Sequence, residues 1–193
     1  MSGNETGNNR ASSLSQRAFD HLNRGEFEKA LSLYEACLEI FKSSEDNRCL
    51  AMTYNNMGLI QVQRRDFSQA LECFEQALFH YQALKDSNGQ ANQLQNMGSI
   101  FRDLKEQDRA LEMYLKALAF FEETKNQFQI ANQYSNIAYI QAMSGEVEVA
   151  LQWYGLALNL YESLDDRERA GQVRKNIHNL EKAINNPQDH EPS

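Results

Sequence analysis

Three near-identical words recur at an interval of forty residues: YNNMGLI at 54–60, LQNMGSI at 94–100 and YSNIAYI at 134–140. Each carries an asparagine, an apolar residue, then Gly or Ala. A primary amide offers two donors and an acceptor, so it can hydrogen-bond another chain's backbone whatever that chain's side chains are. The same amides could instead bond a neighbouring copy or each other. A catalytic site is assembled once, whereas these residues are copied, so the first chemistry the sequence suggests is recognition.

Other chemistry finds little support. The chain has no Gly-rich phosphate loop, HExxH, CxxC or GxSxG motif. Acidic pairs such as Glu122-Glu123 and Asp165-Asp166 are adjacent, and adjacent positions diverge by about 100° on a helix, so they do not converge on a substrate. Cys37, Cys49 and Cys73 are odd in number and form no metal-type pair, and His21, His80, His178 and His190 are scattered. We expect reduced thiols acting as apolar fillers in a cytoplasmic protein, with no metal, no cofactor and no enzymatic activity. Trp153 is expected in a core or on an outer surface rather than in a ligand box. A net charge of −8 disfavours nucleic acid and anionic membranes. Arg64-Arg65 and Arg167/Arg169 are too few for a nucleic-acid track. No apolar run reaches the ~18 residues a membrane span needs.

The elements that position the amides follow from the same shift of forty. Ala30-Leu31, Ala70-Leu71, Ala110-Leu111 and Ala150-Leu151 coincide, as do Tyr34, Phe74, Tyr114 and Tyr154, and Leu38, Leu78, Leu118 and Leu158. Ala18 stands in register with Gly58, Gly98 and Ala138. Proline is absent before Pro187, so helices can run throughout. In the second copy Ala70, Phe74, Ala77, Leu78 and Tyr81 make one apolar helical face, after a turn at Arg65-Asp66. A single such hairpin cannot bury its own apolar face, so the copies must stack.

The expected plan is a disordered segment over 1–11, then four hairpins at about 12–44, 50–84, 90–124 and 130–164. A capping helix over 166–185 and a disordered tail over 186–193 complete it.

With Asn56-Met57-Gly58, Asp66-Phe67, Ala70-Leu71, Phe74 and Ala77-Leu78 in view, the chain resembles a tetratricopeptide-repeat (TPR) protein over about 12–184. Its forty-residue copies are similar to the repeats of kinesin light chains, of spindle-orientation adaptors and of bacterial TPR proteins. Arg17 departs from Met57 and Met97, Gln107 replaces the turn aromatic, and Gln61 and Gln141 fill a position often aromatic. The resemblance implies an all-α, right-handed superhelix (α-solenoid) of four hairpins plus a capping helix, its first helices lining a concave groove.

On that plan the groove presents Phe19, Leu22, Asn55, Asn56, Leu59, Gln95, Asn96, Ser99, Arg102, Ser135, Asn136, Tyr139 and Met143. Asn92, Gln93, Asn132 and Gln133 beside them argue for a polar groove. In the relatives such asparagines contact bound peptides, which implies a protein-binding adaptor for an extended or helical partner segment. Chaperone-binding members grip two carboxylates with basic residues. Here those positions hold Ser15, Phe19, Asn56, Asn92 and Asn96, and one repeat later Asn55, Leu59, Asn96, Asn132 and Asn136. Neither window contains a base, so an Hsp70/Hsp90 C-terminal tail is not the expected ligand. A self-assembling oligomeric scaffold is the main alternative. A peptide-sensing regulator ranks lower, since no residues are left over for an effector domain.

Overall fold

In the computed structural model, residues 2–185 are described, with side chains from residue 9 onward; the expected tail at 186–193 lies outside them. Among the described residues every regular element is a helix. They are α1 (Ser2–Asn23), α2 (Phe27–Ser43), α3 (Asn47–Gln63), α4 (Phe67–Ala83), α5 (Ser87–Asp103), α6 (Gln107–Glu123), α7 (Gln127–Met143), α8 (Val147–Ser163) and α9 (Arg167–Asn185). They form consecutive packed hairpins, α1 with α2, α3 with α4 and α7 with α8, while α9 packs on α8. The chain divides into two compact units, residues 1–100 and 101–193, with the boundary inside α5.

The forty-residue sequence period rests on a twenty-residue backbone period. From α2 to α8 each helix has 17 residues, and three residues separate it from the next. The eight turns share one geometry. In the turn after α2, Glu45 N–H donates to Lys42 O and Asp46 N–H to Phe41 O, and the same pair of bonds recurs at every turn through Asp165-Asp166. This is the Schellman closure, which satisfies carbonyls a helix end would leave unbonded. It needs a left-handed residue. Gly25 and Gly145 supply it freely at φ of 72° and 84°, but Glu45, Arg65, Lys85, Lys105, Lys125 and Asp165 also hold φ between 53° and 61°. Each of those side chains costs about 1 kcal/mol where glycine would not.

The next residue caps the following helix. Asp46, Asp66, Asp86, Asn126 and Asp166 accept from the backbone N–H three residues on. Glu26, Glu106 and Glu146 make no such bond, the longer side chain being poorly placed to fold back.

In unit 1, Ala18, Ala30, Leu31, Tyr34 and Ile60 form one core cluster, and Ala11, Cys37, Leu38, Phe41 and Leu50 a second. Small residues set the approach of the helices: a Cβ added at Gly58 would sit 2.6 Å from the Phe74 ring, and one at Gly89 2.3 Å from that of Tyr81. In unit 2, Tyr154, Tyr161, Ala170 and Val173 are buried together, with Trp153, Ile177 and Leu180 packed against them. Trp153 also meets Tyr134, ring centroids 5.4 Å apart, so the single tryptophan is half-buried at the edge of this core. α9 thus lays Ala170, Val173, Ile177 and Leu180 on α8's side and leaves most of its last turns exposed.

The start of the chain differs from expectation. Disorder was expected through residue 11, but α1 begins at Ser2 and Ala11 is fully buried. The reason is local: the Ala11 carbonyl accepts from the Cys37 thiol, and Ser15 Oγ lies 3.3 Å from the same sulfur. A polar composition does not prevent helix formation where one small residue docks on the next helix.

Candidate functional site

The groove residues read from sequence lie on first helices α1, α3, α5 and α7, where positions three and four apart share a face. Phe19 and Leu59 in unit 1 and Tyr139 in unit 2 are exposed at 50%, 40% and 45%, large values for apolar side chains. Asn55, Asn56, Gln95, Asn96, Ser99, Arg102, Ser135 and Asn136 are half-buried.

Two clefts gather part of this set. In unit 1 a cleft of about 320 Å³ opens between α1 and α3, with Phe19 and Met52 on its walls, Asn56 at one side, and Tyr34 and Phe41 of α2 beneath. Cys49 also lines it, but burial pushes its thiol up to about 11, so it stays protonated at neutral pH and is no nucleophile. In unit 2 a cleft of about 430 Å³ is lined by Arg102, Asp103, Ser135, Asn136 and Tyr139, with Tyr154 of α8 and Asn176 of α9 completing it. Asn55, Leu59, Gln95, Asn96 and Ser99 lie outside both clefts.

The amides are tied, but loosely. Asn96 Nδ2 donates to Asn55 Oδ1, Asn55 Nδ2 to Asn56 Oδ1, and Asn56 Nδ2 to Tyr34 Oη, each at 3.4 Å. Such lengths are well beyond the usual 2.9–3.0 Å, so these bonds are weak. The Asn56–Tyr34 pair recurs in unit 2 as Asn176 with the phenol of Tyr154. Tyr34 and Tyr154 are only 1% and 3% exposed, and a buried phenol needs a partner. Burial raises both their pKa values, and the asparagine hydrogen bond works against it. The second copy is the exception. Phe74 has no hydroxyl to offer in this register, and Asn96 turns sideways to Asn55 instead. The repeated asparagine therefore serves the fold at 56 and 176, and at 96 it is tied only to another amide.

Two of the amides taken as signs of a polar groove are not on it. Gln93 is 2% exposed and Gln133 fully buried, both facing the core. They sit one position from Asn92 and Asn132, and a step of about 100° turns a side chain from one face to another. The tyrosines beneath the clefts were the residues sequence reasoning missed as site components. Their signal was a hydroxyl at an otherwise apolar position.

Arg102 and Asp103 are the charged residues of the unit 2 cleft. Arg102 Nε and Nη2 donate to one oxygen of Asp103, at 3.0 and 2.8 Å. Burial is the largest single influence on Arg102 and works against its charge, but the Asp103 hydrogen bonds together with the nearby Asp103, Tyr114 and Tyr139 groups outweigh it, and its pKa is raised. Among the described residues no group of three or more His, Cys, Asp or Glu could hold a metal, and no helix is long and apolar enough to cross a membrane.

Comparison with known proteins bears on the same elements. The tetratricopeptide-repeat family matches residues 9–83 and again 94–123, together more than half of the chain. No curated protein matches it in sequence. Among solved structures, the apo form of RapI superposes with a TM-score of 0.85 at 18% identity, covering 92% of this chain. This chain spans only 49% of RapI's length. BtubC (BKLC) from P. vanneervenii superposes with a TM-score of 0.67 at 17% identity, covering 98% of this chain and 92% of its own. At such identities these likenesses show a shared fold.

Proposed function

The chain belongs to the tetratricopeptide-repeat family, and from that premise we propose that it is a non-enzymatic adaptor. Its first-helix face holds an extended or helical segment of a partner protein. The observation that carries this reading is the state of that face: half-buried amides on long, weak hydrogen bonds beside exposed Phe19, Leu59 and Tyr139. Such amides can exchange an internal partner for a peptide backbone at little cost, and the apolar side chains supply area. Phe19, Asn55, Asn56, Leu59, Gln95, Asn96, Ser99, Arg102, Ser135, Asn136 and Tyr139 are the proposed contacts. Few large buried anchors are on offer, so the expected affinity is about micromolar, roughly −8 kcal/mol.

The test is selection of binders from a displayed random-peptide library, followed by titration of one selected peptide against the wild type and an Asn96→Ala/Asn136→Ala variant. Binding weakened with the melting temperature unchanged supports the reading. Binding unchanged in the double variant, or a library that yields no binder, contradicts it.

A further inference from the structure

The unit 2 cleft carries a guanidinium, Arg102, that its unit 1 counterpart lacks. The forty-residue register of Arg102 holds Leu22, Val62 and Ala142 in the other hairpins and Lys182 in α9, so the packing of a hairpin does not require a cation here. Arg102 is also spare in a specific sense. Both donors it uses go to one oxygen of Asp103, its neighbour in sequence, a pair that is 37% and 45% exposed. Solvated pairs of this kind contribute little to stability, so the fold gains little from holding the guanidinium in the cleft. A guanidinium has five donors in a planar fork suited to a carboxylate, and three of Arg102's remain. Neutral donors stand around it: Ser135, Asn136 and Tyr139 line the same cleft.

Resting on the adaptor reading above, we propose that Arg102 recognises the carboxylate of an Asp or Glu side chain in the bound partner segment. The ligand is a carboxylate rather than a phosphate. Asp103 already places one negative charge at the guanidinium, and a dianion would meet that charge with a single cation to offset it. A monoanion can share the fork, one carboxylate on Nε and Nη2 and the other on the remaining donors. The unit 1 cleft has no cation on its lining and takes an uncharged side chain.

The experiment is the same displayed-peptide selection, run on wild type, Arg102→Gln, Arg102→Lys and a Lys116→Gln control whose charge lies on α6 away from the cleft. The expected wild-type pool is enriched in Asp or Glu at one fixed position. That enrichment survives in Lys116→Gln, weakens in Arg102→Lys and vanishes in Arg102→Gln. A selected peptide should lose about tenfold or more in affinity for Arg102→Gln, as charge-assisted bonds imply. Its Glu→Gln or Asp→Asn counterpart should bind wild type and Arg102→Gln alike. Binders without acidic enrichment, or enrichment that persists in Arg102→Gln, overturn this inference and leave the adaptor reading standing. Selection of no binder overturns both. Circular dichroism should give equal melting for all four proteins, which excludes misfolding as the cause.

Discussion

The two units carry the same hairpin and the same Asn–Tyr tie, yet present different clefts. Unit 1 sets Phe19 and Met52 over the rings of Tyr34 and Phe41, while unit 2 sets Arg102 among Asn136, Asn176 and Tyr139. The rings and small residues that hold helix to helix are kept in both. What varies lies one helical turn away, on the first-helix face, where a change of side chain leaves the packing intact. A repeat protein can in this way alter what it recognises from copy to copy without renegotiating its core, since each copy's packing is set by its neighbours alone.

The largest expected effect removes what the units share. Phe74→Ala in unit 1 and Tyr154→Ala in unit 2 should each cost about 3–5 kcal/mol, because both rings are almost fully buried. Urea titration followed by circular dichroism measures the loss, and a cost below 1 kcal/mol for either would mean its ring is not the shared core. Next, the hydroxyls alone: Tyr34→Phe and Tyr154→Phe should each lose about 1 kcal/mol as Asn56 and Asn176 lose a partner. Phe74→Tyr asks the reverse question. It gives Asn96 a hydroxyl in register and should draw that amide inward, weakening peptide binding while Tm holds or rises.

A change of similar size and opposite sign concerns the turns. Arg65→Gly in unit 1 and Lys125→Gly in unit 2 should each raise stability by about 1 kcal/mol, since both hold positive φ. Equal gains would show that the turns are interchangeable parts; a loss in either would show that its side chain makes a bond worth more than the strain.

The smallest effect is a difference in pH response. His80, half-buried, stacked on Tyr54 and 2.8 Å from Asn47, has its pKa lowered by burial. A depressed histidine stabilises the fold above its unfolded value, near 6.5, and that stability is lost as pH falls through the window below it. Unit 2 has Phe120 and Leu160 in this register. Asp166 in unit 2 is lowered by the hydrogen bonds from Arg169, backbone first. Its contribution is present above the unfolded carboxylate range and is lost only at more acidic pH. His80→Gln should flatten the stability curve over the window just below about pH 6.5 and leave the acid limb unchanged, as read by urea midpoints across pH.

The hairpin architecture was legible because the residues that specify it are identical in kind at every copy: Ala70, Ala110 and Ala150 against aromatic rings in register. The twenty-residue backbone period was not, because the left-handed position is filled by Gly, Glu, Arg, Lys and Asp in turn, and only Gly25 and Gly145 announce it. The helical start of the chain escaped notice because one docked alanine, Ala11, outweighs a polar neighbourhood. Asn56 and Tyr139, expected on the groove, line the two clefts, whereas the glutamines adjacent to Asn92 and Asn132 face the core. Composition counts amides; only position on the helix says where they point. That the asparagines answer to tyrosine hydroxyls was written in the Tyr-Phe-Tyr-Tyr series, but the rings alone sufficed for packing, so the hydroxyls drew no question.

Hydroxyl-radical footprinting with and without a selected peptide tests the central claim most directly, because it reads exposed side chains on both kinds of helix at once. Phe19, Met52 and Tyr139 on first helices and Phe79, Leu115 and Leu156 on second helices are all exposed enough to react. The account predicts that the peptide protects Phe19, Met52 and Tyr139 and leaves Phe79, Leu115 and Leu156 unchanged. Protection of the second-helix set, with the first-helix set still reactive, would contradict it.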